Sequence, residues 1–159
     1  MGLYSGHGHL LRLVAGFGDN SEGRHLMEIV GIGTDIVECV RVARMIEQHG
    51  ELFLTRVYTD REIRYCQARR KTTEHFAERW AAKEAILRCL GTGWRRGLCW
   101  TDMEVRNDLQ GLPRVSLRGA VRELADRLSV GTVLLSVSHC RAYAVAYATA
   151  VRAVHQPPS

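Results

Sequence analysis

Apolar and polar positions become periodic only near Met27. The stretch "EIVGIGTDI" (28–36) alternates as a strand and puts Asp35 on the same side as Ile29, Gly31 and Gly33. Residues 37–48 and 60–70 show helical spacing, with a short apolar turn between them. Thr73 to Leu90 is a longer helix, stopped by the glycines of "GTG" at 91–93. "WTDMEVRND" (100–108) reads as a strand, "LQGLPR" as a Gly/Pro turn, "VSL" (115–117) as a short strand and "RGAVRELADRL" (118–128) as a helix. "GTVLLSVSH" (131–139) and "AYAVAYATAV" (142–151) alternate strictly around Cys140-Arg141, the pattern of an antiparallel hairpin. The order β-α-α-α-β-β-α-β-β predicts one compact α+β domain over residues 27–151. Residues 1–26 are rich in glycine and histidine, lack this period and are expected to be a disordered or non-native extension; 152–159 is expected to be a tail.

Composition narrows the classes. A chain of 159 residues suits one domain with a real core, and 46% apolar with 25% charged residues are ordinary globular values. No window approaches the roughly 18 apolar residues of a membrane span, and the run "LLRLVAGF" lacks the charged start and cleavage pattern of a secretory signal. The five cysteines (39, 66, 89, 99, 140) form no C-x-x-C pair and are odd in number, which favours reduced thiols and a cytoplasmic location over a disulfide framework or cysteine-rich zinc site. The seven histidines show no recognised ligand spacing. Of the net charge of +5, four units sit between Arg41 and Lys71, where eight basic groups face four acids. Such a face suits an anionic partner, whether nucleic acid, phosphorylated small molecule or acidic protein; the bland reading is a solvated arginine-rich helix pair.

"VGIGTD" (30–35) begins like a dinucleotide loop, but the third glycine position is Ile36, so that reading fails. Two readings of Asp35 stay open. "DIVE" matches a capping box; alternatively, two side-chain-free neighbours leave room for something bulky, and Asp35 with a carboxylate from the long helix holds Mg²⁺. On that helix Phe76, Trp80, Leu87 and Leu90 form one apolar stripe, with Lys83 in its middle and Glu84 at its edge. Either Lys83 snorkels outward while Glu84 pairs with Arg88 at i+4, or both charges serve a site.

"GIGTDIVECVRV" (31–42), "FAERWAAKEAILRCLGTG" (76–93) and "SVSH" with "YAVAYA" (136–148) together resemble the holo-acyl-carrier-protein synthases, the small type of 4′-phosphopantetheinyl transferase. The resemblance runs from about Met27 to Val151, and W-A-A-K-E-A is its most specific run. It implies a phosphopantetheinyl-transferase-like domain with a mainly antiparallel sheet against a long helix. The implied activity moves the 4′-phosphopantetheine arm of coenzyme A onto a serine of apo acyl carrier protein and releases adenosine 3′,5′-bisphosphate. Asp35 and Glu84 would bind Mg²⁺, and Lys83 would add fixed positive charge at the edge of the pocket. Gly91, Thr92, Gly93 and His139 would contact coenzyme A, although a lone His on a strand is more often structural. Arg41 and Arg44, on the helix after Asp35, would dock the acidic carrier protein.

Arg88 stands where these enzymes usually carry lysine, which keeps a charge role and puts proton transfer there in doubt. The family assembles as trimers. Here the Ala-faced last strand, with Tyr143, Val145 and Tyr147 on its other side, suits either such an interface or the core. Two other classes of function remain in view: a coenzyme A-binding regulator without turnover, and a nucleic-acid module using the Arg-rich 56–71 stretch, the latter disfavoured because it leaves Lys83-Glu84 unexplained. No membrane partner is expected.

Overall fold

The computed structural model describes residues 28–152, so the expectation for 1–26 and most of the expected tail lie outside it. The elements are β1 (Ile29–Glu38), α1 (Cys39–Val57), α2 (Asp60–Gln67), α3 (Thr72–Cys89), β2 (Met103–Asn107), β3 (Pro113–Leu117), α4 (Gly119–Arg127), β4 (Val130–His139) and β5 (Tyr143–Arg152), with a 3-10 turn at Trp100–Asp102. Their order and type follow the sequence pattern. β1, β5 and β4 form an antiparallel sheet in the order β1-β5-β4, and β2 pairs with β3 in a second, two-stranded sheet.

The two departures are local. The expected apolar turn after residue 48 is helical, because α1 resumes beyond a kink at Gly50 (φ 52°, ψ −131°) and buries Phe53, Leu54 and Val57 at helical spacing. The run beginning at Trp100 opens as the 3-10 turn, and only Met103–Asn107 pairs as a strand.

What positions the site is the seat of α3 on the larger sheet. β5 turns Ala144, Ala146, Ala148 and Ala150 inward, all 0% exposed, so the Ala face is core. α3 answers with Ala77, Ala81 and Ala85, spaced four apart on one face and equally buried. β1 contributes Gly31 and Gly33. A Cβ on Gly31 would collide with the Cys89 carbonyl oxygen, and one on Gly33 with the Ala85 carbonyl oxygen. The bulky object for which those glycines leave room is therefore α3 itself. The expected parity holds for Gly31, Gly33 and Asp35, but a register shift between Ile29 and Gly31 breaks it, and Ile29 is exposed.

The stripe Phe76, Leu87 and Leu90 is buried as expected, but α3 is enclosed on most of its surface, not along one stripe. The opposite face of the sheet is uncovered. Ile32, Ile36, Leu134, Tyr143, Val145 and Tyr147 are each between 40% and 64% exposed on it.

Candidate active site

Asp35 stands in mid-strand, three residues before the end of β1, and is paired with Ala146 of β5. The capping-box reading of Asp35 fails for that reason: β1 runs on to Glu38, and α1 starts at Cys39 with no side-chain cap. Asp35 faces α3, where the Arg88 guanidinium reaches it at 2.8 Å and also donates to the Thr34 carbonyl at 3.0 Å. Arg88 thus forks onto β1 rather than closing an i+4 pair with Glu84. The Asp35 side chain is only 10% exposed and that of Arg88 52% exposed, so the pair sits at the lip of the interior.

Glu84 lies on α3 one turn before Arg88 and one turn after Trp80. Burial raises the pKa of Glu84, and the nearby Asp35 carboxylate raises it further against the pull of Arg88. Asp35 is likewise raised, first by burial, with Arg88, the Ile36 amide and Arg41 pulling it down. Two partly desolvated carboxylates that repel each other keep raised pKa values despite the pull of Arg88 and Arg41, so they remain short of positive charge. A hard cation that accepts one or two carboxylates plus outside oxygens fits that deficit, and Mg²⁺ is such an ion. Arg41, exposed on the first turn of α1, is close enough to lower both pKa values.

Lys83 takes neither place expected of it. It is fully buried, and its ammonium donates to the Val57 carbonyl at 2.7 Å and the Trp100 carbonyl at 3.0 Å while pairing with Glu62 Oε2 at 2.7 Å. Its three donors are thereby matched. Glu62 in turn accepts from the Thr59 and Val105 amides, both at 2.9 Å. Sequence reading missed Glu62, although "TDRE" (59–62) is a capping box, which the structure forms at the start of α2.

The "GTG" loop is a helix stop in a specific geometry. Gly91 adopts φ 75°, its amide bonds the Arg88 carbonyl at 2.9 Å, and the Thr92 amide bonds the Leu87 carbonyl at 3.0 Å, the Schellman pattern. A Cβ on Gly93 would meet nothing. His139 ends β4, on the side of Val133, Leu135 and Val137, and its Nδ1 lies 2.6 Å from Glu78 Oε2. The sequence reading also passed over Glu78, His75 and Arg79. Arg79 is fully buried, bonds Glu78 at 2.8 Å and the Asn107 side chain, and keeps an unpartnered Nε. An arginine inside an apolar helix was the available signal. Burial lowers the pKa of His75, whose ring lies 5.0 Å from that of His139.

The structure thus gathers Asp35, Glu84, Arg88 and Arg41 at the C-terminal half of α3, places Gly91–Gly93 just beyond its end and His139 toward its start, and withdraws Lys83 into the interior. A profile of the 4′-phosphopantetheinyl transferase superfamily matches residues 31–148. The chain belongs to that superfamily. Within the superfamily, it is 45% identical over 121 residues to a holo-[acyl-carrier-protein] synthase of Rhodopirellula baltica, covering 76% of this chain and 96% of that one. It is 46% identical over 118 residues to the synthase of Koribacter versatilis, covering 74% and 94%. Among solved structures, the holo-acyl-carrier-protein synthase of Neisseria meningitidis superposes with a TM-score of 0.71 at 30% identity, over 77% of this chain and 98% of that one. That of Bacillus anthracis, solved in complex with CoA (3′,5′-ADP), superposes at 0.66 with 33% identity, over 80% and 100%.

Proposed function

We infer that this chain is a holo-[acyl-carrier-protein] synthase, an enzyme that transfers 4′-phosphopantetheine from coenzyme A to a serine of apo acyl carrier protein. The serine oxygen bonds to the phosphorus that carries the pantetheine arm, the pyrophosphate P–O bond breaks, and adenosine 3′,5′-bisphosphate leaves. The observation that carries the reading is the half-buried Asp35–Glu84 pair, set by β1 and α3 inside a chain 45% identical to a synthase.

Asp35 and Glu84 would hold Mg²⁺. When bound, the ion supplies neutralising charge for the pyrophosphate oxygens. Arg88 adds a fixed guanidinium beside Asp35, where negative charge builds on the phosphates. Either carboxylate would also be placed to accept the serine proton. Lys83 acts by position: by pinning α3 to the end of α1 through Val57, it holds the adjacent Glu84 in register. Gly91, Thr92 and Gly93 offer backbone to the nucleotide, and His139 a ring nitrogen to its phosphates. Arg41 and Arg44, both exposed on α1, receive the acidic carrier protein.

The uncovered apolar sheet face, where Ile32, Ile36, Tyr143 and Tyr147 are exposed together, supports self-association such as a homotrimer. No helix among the described residues is long and apolar enough to cross a membrane, and the five cysteines are free thiols, in keeping with a cytoplasmic site of action.

The test is the intact mass of apo acyl carrier protein after incubation with this chain, coenzyme A and Mg²⁺, with and without EDTA. A gain of one phosphopantetheine arm, lost with EDTA, is expected. A folded sample that adds nothing to several carrier proteins would overturn the assignment.

A further inference from the structure

We propose a second cation site, formed by His75, Glu78 and His139, that takes zinc or a similar borderline transition metal. Their ligand atoms all lie within 4.8 Å of one another. His75 and Glu78 are three residues apart on α3 and share a face, while His139 arrives from the end of β4. Sequence spacing hid the set because its members come from elements more than sixty residues apart.

The donor chemistry selects the metal. Two imidazoles and one carboxylate are the protein ligands of open zinc sites, with the fourth position left to water or an anionic oxygen. Magnesium prefers an all-oxygen shell, so this set and the Asp35–Glu84 pair favour different ions. The Asp35–Glu84 pair is also separate, because Glu78 precedes Glu84 by six residues, about 9 Å along the helix at 1.5 Å per residue; His139 turns Nδ1 to Glu78, which leaves its other ring nitrogen for the coenzyme A phosphates.

Two details point to a ligand rather than to a closed hydrogen-bond cluster. The Nδ1 atom of His75 is buried and has no hydrogen-bond partner, a cost that a metal bond removes. Glu78 is held by Arg79 Nη1 at 2.8 Å through one oxygen, while its other oxygen faces His139 at 2.6 Å. An outer partner that fixes a ligating carboxylate is the usual support of such a site. Bond lengths near 2.0–2.2 Å about a tetrahedral ion place ligand atoms roughly 3.3 Å apart. His75 therefore has to close by on the order of 1.5 Å, and the Glu78–His139 contact has to open slightly. Side-chain rotation covers both movements.

The experiment titrates the full chain with Co²⁺ as a visible surrogate, then with Zn²⁺ in competition, with Mg²⁺ in excess throughout. The expected result is one Co²⁺ per chain with the absorption of a four- or five-coordinate ion and no thiolate charge-transfer band. Affinity falls at least about 10-fold in Glu78→Gln and in His75→Ala, while Asp35→Ala and Cys140→Ser bind as the parent does; circular dichroism checks that each variant is folded. No binding at tens of micromolar metal overturns the proposal. So does a thiolate band, or binding lost in Cys140→Ser or Asp35→Ala and kept in Glu78→Gln. Transfer activity enters none of these readings, so failure here leaves the transferase assignment where it stands.

Discussion

Arg88 grips Asp35 at 2.8 Å and, with its other terminal nitrogen, the carbonyl of the neighbouring Thr34 at 3.0 Å, so one side chain ties the last turn of α3 to the strand that carries the first carboxylate. A lysine, with a single ammonium on a flexible stem, does not present the same planar fork. Arg88→Ala is expected to lower kcat/KM for coenzyme A on the order of 100-fold, and Arg88→Lys to recover most of the loss because the charge returns. Steady-state transfer assays check this; an alanine variant as active as the parent would remove Arg88 from the site.

Asp35→Ala and Glu84→Ala should each abolish Mg²⁺-dependent transfer and leave the circular dichroism spectrum unchanged. Full activity in either would remove the metal assignment.

The same pair has a pH signature. Both carboxylates bind protons more tightly folded than unfolded, so their effect on stability is most favourable below their unfolded pKa values of about 4 and is lost as pH rises through the raised folded values. At neutral pH in EDTA, Glu84→Gln should therefore raise Tm by a few degrees, and the gain should fade as pH falls through the raised range. A Tm difference that grows on acidification would contradict the burial argument.

Lys83→Met leaves the Glu62 carboxyl without its counter-charge in the interior. A loss of about 3–5 kcal/mol in denaturant unfolding is expected, with KM for coenzyme A nearly unchanged in whatever fraction folds. Unaltered stability with kcat alone reduced would place Lys83 at the chemistry instead.

Two glycines should part company. Gly33→Ala drives a methyl into the backbone of α3, which has nowhere to yield, and should destabilise by about 3 kcal/mol or more. Gly93→Ala meets open space and should change stability by no more than about 0.5 kcal/mol. If the loop touches the nucleotide, Gly93→Ala should still raise KM for coenzyme A. Equal destabilisation by the two would refute the packing account.

Element order, the hairpin and the strand side of Asp35 were legible because period-2 and period-3.6 patterns are local. The Gly31–Gly33 room was read correctly as space for something bulky, but a strand does not say what approaches it; only the inward Ala residues of β5 together with Ala77, Ala81 and Ala85 make α3 the answer. Lys83 was misplaced because a helical wheel cannot see Glu62, 21 positions earlier in another helix, which makes burial of the charge tolerable. The cluster around Glu78 was invisible for the same reason. His139 and His75 meet only when β4 lies beside α3.

The methyl-and-hydrogen seam between α3 and the sheet also bears on how this enzyme tolerates change. Elsewhere in a protein the residues that resist substitution tend to be the large ones, since removing them opens holes. Along this seam the order is inverted: Gly31 and Gly33 have no room for even a methyl, and Ala81, Ala85, Ala146 and Ala148 are fully buried beside them. The spacing between Asp35 and Glu84 is consequently a property of two main chains in contact, not of adjustable rotamers. Substitutions on the exposed face of α1 or on the outer face of the sheet leave the distance between the two carboxylates unchanged.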